Sequence, residues 1–183
     1  MMEPATVNSL KERLSQWGFS WEGLRDNRRG EWWLIAQLAL ITAHLLPPLP
    51  PPAALGLTWP LGLRLLGWGV FVLGLLLAGL AVGSLAGSLT PLPEPMPNAP
   101  LVTSGAYGRC RHPLYQAVLV CSLGATLALG SLAHLALLLA LAVVLRGKAH
   151  REERRLLELH PDYGAYLATT PAIVAGLPGL DWR

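Results

Sequence analysis

Four uncharged apolar runs, at residues 32–49, 65–89, 114–130 and 132–145, alternate with polar or proline-rich segments along the chain. A helix needs about 20 apolar residues to cross a bilayer, which is the scale of these runs. The first starts with Trp32 and Trp33, which suit a membrane–water interface, and Pro47 and Pro48 end its helix. The second is the clearest transmembrane helix, with 25 residues and no charge. The third and fourth meet at Gly130-Ser131, a connection so short that it predicts a tight antiparallel hairpin. The fourth helix is expected to continue past Leu145, because RGKAHREERRLLELH keeps helix-forming residues up to Pro161. Arg154 and Glu158, at i and i+4, support that continuation into water.

The connectors are as distinctive as the runs. PPLPPPAALGLTWP carries no charge and favours extended polyproline geometry, and TPLPEPMPNAP at 90–100 reads as a stiff spacer. Residues 1–30 are polar; SLKERLSQWGF within them is suited to a surface helix, with a solvated tail as the alternative. Gly79, Gly83 and Gly87 recur every four residues on one helix face. Small residues at that spacing let another helix approach, either from the same chain or across a homodimer seam. His44 and His134 fall near helix ends, where interfacial water is in reach.

Composition agrees with a membrane protein. The chain is 52% hydrophobic and 14% charged, against about 25% charged in soluble domains. Its net charge of +3 flanks the apolar runs instead of decorating a soluble face, which argues against nucleic-acid binding. With the N-terminus inside, the connector at 47–60 has no Lys or Arg and faces out, while Arg109, Arg111 and the basic segment 146–155 face in. That is the positive-inside arrangement, with both termini cytoplasmic. Cys110 and Cys121 should sit at different depths and form no disulfide framework. No cleavable signal peptide and no metal site are expected.

Two polar segments, GAYGRCRHPLY (105–115) and REERRLLELHPDYGAY (151–166), are brought to the same face by the hairpin between them. Arg109, Arg111 and His112 can hold a carboxylate, and Glu152 and Glu153 can accept from an amino group or from sugar hydroxyls. Tyr107, Tyr115, Tyr163 and Tyr166 add flat surfaces and hydroxyls. Pro113 suits the first turn of a helix, which puts His112 beside free backbone N–H groups that favour an anion. A ligand with a carboxylate, an ammonium, a ribose and an aromatic base would find a partner for each part. The basic segment could also anchor the helix to anionic headgroups.

The ordered set G-A-Y-x-x-x-R-H-P-x-Y, an apolar hairpin, E-E and Y-x-x-Y resembles the isoprenylcysteine carboxyl methyltransferase family and its phospholipid methyltransferase relatives. The resemblance covers residues 101–178, after a cytoplasmic segment 1–30 and N-terminal transmembrane helices with proline-rich linkers at 31–100. It implies an all-α integral membrane protein of about four transmembrane helices with a cytoplasmic S-adenosylmethionine site. By it, Gly105, Tyr107, His112, Pro113, Tyr115, Glu152, Glu153, Tyr163 and Tyr166 belong to the cofactor site, with Arg111, Glu152 and Glu153 in catalysis. The acceptor would be a lipophilic molecule or lipidated substrate entering from the bilayer, with a prenylcysteine-type carboxylate as the leading choice. A phospholipid amine or a small thiol or acid also fits a membrane-side pocket. Ala117 stands where the family usually has glycine, and His160-Pro161 where Phe-Gly is common. An NADPH-dependent membrane reductase and an inactive membrane scaffold are the readings from other classes.

Overall fold

The computed structural model describes residues 21–85, 92–93 and 100–183. The expected surface helix at 9–19, most of the 90–100 spacer and Gly87 lie outside the described residues. Among those described, every regular element is helical: α1 (Trp21–Asp26), α2 (Glu31–Ala43), α3 (Leu61–Leu85), α4 (Pro113–Leu129), α5 (Leu132–Leu159) and α6 (Tyr163–Thr169). Short 3₁₀ turns occupy Pro52–Leu55 and Gly105–Gly108.

The hairpin forms as its sequence dictates. Gly130 adopts a left-handed conformation (φ 60°) that ends α4, and the Ser131 side chain accepts from the His134 N–H to start α5. A side chain at Gly130 would also strike the Trp59 ring, whose indole N–H donates to the Leu127 carbonyl at 2.7 Å. At the other end α5 continues through the basic segment to Leu159, where His160 caps it and Pro161 follows. α3 begins at Leu61, four residues before the charge-free run, because Pro60 supplies the first acceptor for Arg64 N–H at 3.1 Å. Arg64 therefore occupies the first turn of α3.

α3 and α4 make the most extensive contact and run antiparallel. Gly67, Gly74 and Ala81, seven residues apart and so on one helix face, are the buried positions of α3. A Cβ on Gly67 would lie 2.3 Å from the Ala128 nitrogen, and one on Gly124 2.4 Å from the Phe71 nitrogen. The two backbones touch, and only glycine permits it. Gly79 and Gly83, in contrast, have nothing within 4 Å of a modest side chain, so they do not seat α3 against its own chain. This corrects the expectation of same-chain packing drawn from their spacing; the homodimer seam stays an expectation.

α2 packs along α5: the Trp33 ring lies over Gly147, Lys148 Nζ donates to Gln37 at 2.7 Å, and the His44 and His134 rings meet edge to face. His134 is buried at 1% exposure, its Nε2 3.3 Å from the His44 carbonyl, so it does not reach interfacial water. The four long elements therefore alternate in direction. Residues 30–37, 84, 105–115 and 147–153 gather at one end of the bundle, and residues 49, 59 and 127–131 at the other.

Large apolar side chains cover the outside, with Leu76 62% and Val143 70% exposed. Water would not tolerate a girdle of this kind, but lipid would. α3 and α5 are long and apolar enough to cross a membrane. α2 and α4 are apolar but shorter, at 13 and 17 residues.

Candidate active site

The Arg111-His112-Pro113 start of α4 is held by the segment after α6. The N–H groups of Arg111 and His112 donate to the carbonyls of Pro171 and Ala172, each at 2.9 Å, and Gln116 Nε2 donates to the Ile173 carbonyl at 3.0 Å. Pro113, without an N–H, needs no such partner and opens the helix.

Arg111 lies at the centre of this arrangement. Its Nε donates to Glu153 Oε1 at 2.8 Å, Nη1 to the carbonyls of Leu167 (3.0 Å) and Thr170, and Nη2 to the Trp182 carbonyl at 2.8 Å. The two Nη1 acceptors close the C-terminal end of α6, where the helix dipole favours a cation. With 3% exposure, Arg111 is a buried structural ion and does not present an open fork to an incoming carboxylate as the sequence suggested. Arg109, two residues earlier and exposed, lines a cavity instead.

The two glutamates differ in the same way. Glu153, 4% exposed, accepts from Arg111 and from His112 Nε2 (2.9 Å) on Oε1, and from the Trp182 indole on Oε2 at 2.6 Å. A carboxylate only accepts, so His112 carries its proton on Nε2. Glu152 is half-buried, takes the Tyr115 hydroxyl on Oε2 at 2.8 Å and lies 3.7 Å from His112 Nδ1. The His112 and Tyr115 rings stack with an interplanar angle of 3°.

The remaining tyrosines split between partners. Tyr166 donates its hydroxyl to the Tyr107 carbonyl at 2.6 Å. Tyr163 is buried, and its hydroxyl has no hydrogen-bond partner among the described residues. Burial raises the Tyr107, Tyr163 and Tyr166 hydroxyls above their ordinary value, and Glu152 adds to the effect at Tyr107. All three are therefore neutral donors at physiological pH.

A cavity of about 310 Å³ opens beside this network, lined by Ser84, Gly105, Ala106, Arg109, Pro113 and Gln116 with two α3 leucines. Gly105 has φ +63°, and a side chain there would come within 2.7 Å of Ser84 Oγ, which already accepts the Ala106 N–H. Of the residues expected at the cofactor, Gly105 and Pro113 line this cavity. His112, Tyr115, Glu152 and Glu153 form a cluster of hydrogen bonds and stacked rings, and Tyr107, Tyr163 and Tyr166 a second group joined by the Tyr166–Tyr107 bond and an edge-to-face contact of the Tyr163 and Tyr166 rings. Gln116, Ser84 and Trp182 are additions. Gln116 was findable, one helical turn from His112; Trp182 lay beyond the stretch that carried the motif.

Among the described residues no group of three His, Cys, Asp or Glu could hold a metal ion. Residues 63–162, more than half of the chain, match the phospholipid methyltransferase family. The cobalt-zinc-cadmium resistance protein CzcN of Cupriavidus metallidurans is 44% identical over 80 residues, 41% of this chain and 35% of that protein. The chain thus spans about a third of the length of that curated relative. No solved structure matches. Tyr115, Glu152 and the Arg111–Glu153 pair all fall inside the matched stretch, and the chain belongs to the phospholipid methyltransferase family, the group its motifs resemble.

Proposed function

We propose that this protein transfers a methyl group from S-adenosylmethionine to a lipophilic acceptor drawn from the bilayer, with a prenylcysteine-type carboxylate as the leading candidate. The observation that carries the reading is a second cavity of about 350 Å³ between α2, α3 and α4. It runs from Ala117, one turn beyond the Arg-His-Pro start of α4, to Leu129 near the opposite end. Its lining is apolar apart from His44, Cys121 and Ser122. Pockets of this size and character take apolar ligands.

The residues present fit the cofactor. Gly105 leaves a cradle that a side chain would fill, Arg109 offers a guanidinium for a carboxylate, and Glu152 keeps an oxygen for an amino group or ribose hydroxyl. The buried Tyr163 hydroxyl is a donor awaiting an acceptor. When bound, the sulfonium supplies an electrophilic methyl group for in-line displacement. The protein's part is to position the acceptor and exclude water. A carboxylate acceptor is already ionised and needs orientation only. Arg111 is engaged within the protein and Arg109 lines the cofactor-side cavity, so the polar groups on the acceptor cavity are His44, Cys121 and Ser122.

The family's description favours a phospholipid amine as the second reading. An amine must lose a proton, and Glu152 is then the base within the cluster, because both Glu153 oxygens already hold donors. We place four crossings in the membrane, with both termini and the site on the cytoplasmic side; among the described residues, Arg64, on the first turn of α3, is the one Lys or Arg this puts at the outer end.

Labelled methyl groups should pass from S-adenosylmethionine to a prenylcysteine analogue in preference to phosphatidylethanolamine, and S-adenosylhomocysteine should raise the unfolding temperature. Failure of S-adenosylhomocysteine to bind would overturn the reading; preference for the phospholipid would favour the amine.

A further inference from the structure

The extramembrane turns of α5 carry a second set of charges that the methyl-transfer site does not use. Arg151, Arg154, Arg155 and Glu158 stand at i, i+3, i+4 and i+7 and share one face, roughly opposite to Glu153. Arg28, from the turn between α1 and α2, converges on that face. Together with Pro93 these residues line a cavity of about 420 Å³.

Arg151 anchors the cluster, while the Arg28 and Arg155 side chains reach into solvent, 74% and 49% exposed. Arg151 Nη2 donates to the Arg28 carbonyl at 2.6 Å, and its stem crosses Gly30 so closely that a Cβ there would lie 2.9 Å from Nε. Gly30 (φ +81°) adopts the left-handed conformation that glycine tolerates without strain. Arg28 is steered by Asp26 at 2.7 Å and Arg155 by Glu158. Among the described residues, four guanidinium groups gather here beside two carboxylates. Trp32, 57% exposed at the start of α2, marks this end of the bundle as the level where aromatic side chains meet headgroups.

We propose that this arginine cradle binds a phosphate group, specifically that of an anionic lipid headgroup in the adjoining leaflet. Planar guanidinium forks match phosphate oxygens, and fixing them in advance lowers the entropy lost on binding. Snorkelling alone would not draw Arg28, from a separate segment, onto the same cavity. The inference is independent of methyl transfer, because none of these residues lines the cavity at Gly105 and Arg109.

The test uses the full chain in neutral detergent micelles doped with phosphatidylglycerol or phosphatidylcholine, with lipid retention read by native mass spectrometry. Phosphatidylglycerol should be retained and phosphatidylcholine not. Arg28→Gln and Arg154→Gln should each weaken retention about fivefold, and Arg154→Lys should restore most of it. Unchanged unfolding temperatures would show that the variants fold. Competition by millimolar inorganic phosphate at constant ionic strength would support the phosphate as the recognised group. Equal retention of both lipids, or equal retention by wild type and the double variant, would overturn the proposal. Stabilisation by free phosphate with no lipid retained would overturn the headgroup as its source.

Discussion

The indole N–H of Trp182 lies 2.6 Å from Glu153 Oε2, while the Trp182 carbonyl receives Arg111 Nη2 at 2.8 Å. One residue thus bonds both members of the buried Arg111–Glu153 pair, and its ring also stacks on His150 at 4.1 Å. Trp182→Phe removes the donor but keeps a ring. Leaving a buried carboxylate oxygen without its partner costs about 1–3 kcal/mol, a loss of a few degrees in unfolding temperature. Thermal unfolding in detergent checks this, and an unchanged midpoint would show that the indole bond contributes nothing.

The two arginines of the loop should behave oppositely. Arg111→Lys cannot serve Glu153, two helix-end carbonyls and Trp182 at once, so it is expected to destabilise by about 3–5 kcal/mol despite keeping the charge. Arg109→Gln, at an exposed position on the cavity, should leave stability within about 0.5 kcal/mol and weaken S-adenosylhomocysteine binding. Calorimetric titration beside thermal unfolding separates the two effects.

Glycines on α3 and α4 divide just as sharply. Gly124→Ala would force a methyl group to 2.4 Å from the Phe71 backbone and should cost about 1–3 kcal/mol or more. Gly79→Ala meets nothing within 4 Å and should be neutral or slightly stabilising, since alanine favours helix by about 1 kcal/mol. Midpoints from the same unfolding assay decide between them.

Cys110 is buried beneath the loop, with its Sγ 3.7 Å from Gln116 Oε1. Burial pushes its thiol up to about 11. The thiolate is the reactive form, so maleimide labelling at pH 8 should be about a hundredfold slower than at an ordinary thiol, rising about tenfold per pH unit toward 11. Mass spectrometry of a Cys121→Ser variant measures it; fast labelling at pH 8 would contradict the burial.

Much of the helical framework was legible in the sequence, because uncharged runs and a Gly-Ser break leave few alternatives. The continuation of α5 to Leu159 followed from its helix-forming residues, and the closeness of Arg111, His112 and the two glutamates followed from the hairpin. Three things were not legible. The four-residue spacing of Gly79 and Gly83 drew the eye to a face that proved open, whereas Gly67, Gly74 and Ala81 repeat every seven residues and carry the contact. Arg109 and Arg111 are the same residue type two positions apart, and partners distant in sequence (Glu153, the carbonyls at the end of α6 and that of Trp182) decide which is buried. Trp182 has no periodic pattern around it, and its bond to Arg111 spans a separation of 71 residues.

Arg111 ties five segments through one side chain and one N–H: the start of α4, Glu153 of α5, the end of α6, Pro171 and Trp182. Opening any one of them breaks a bond to Arg111. The backbone amides of Arg111 and His112, which bond the carbonyls of Pro171 and Ala172, should therefore exchange hydrogen for deuterium at a common, slow rate, as a single opening unit. For the proposed methyl transfer, ligands would then enter through the apolar cavity or the opening beside Gly105, because the end capped by Arg111 opens as one block.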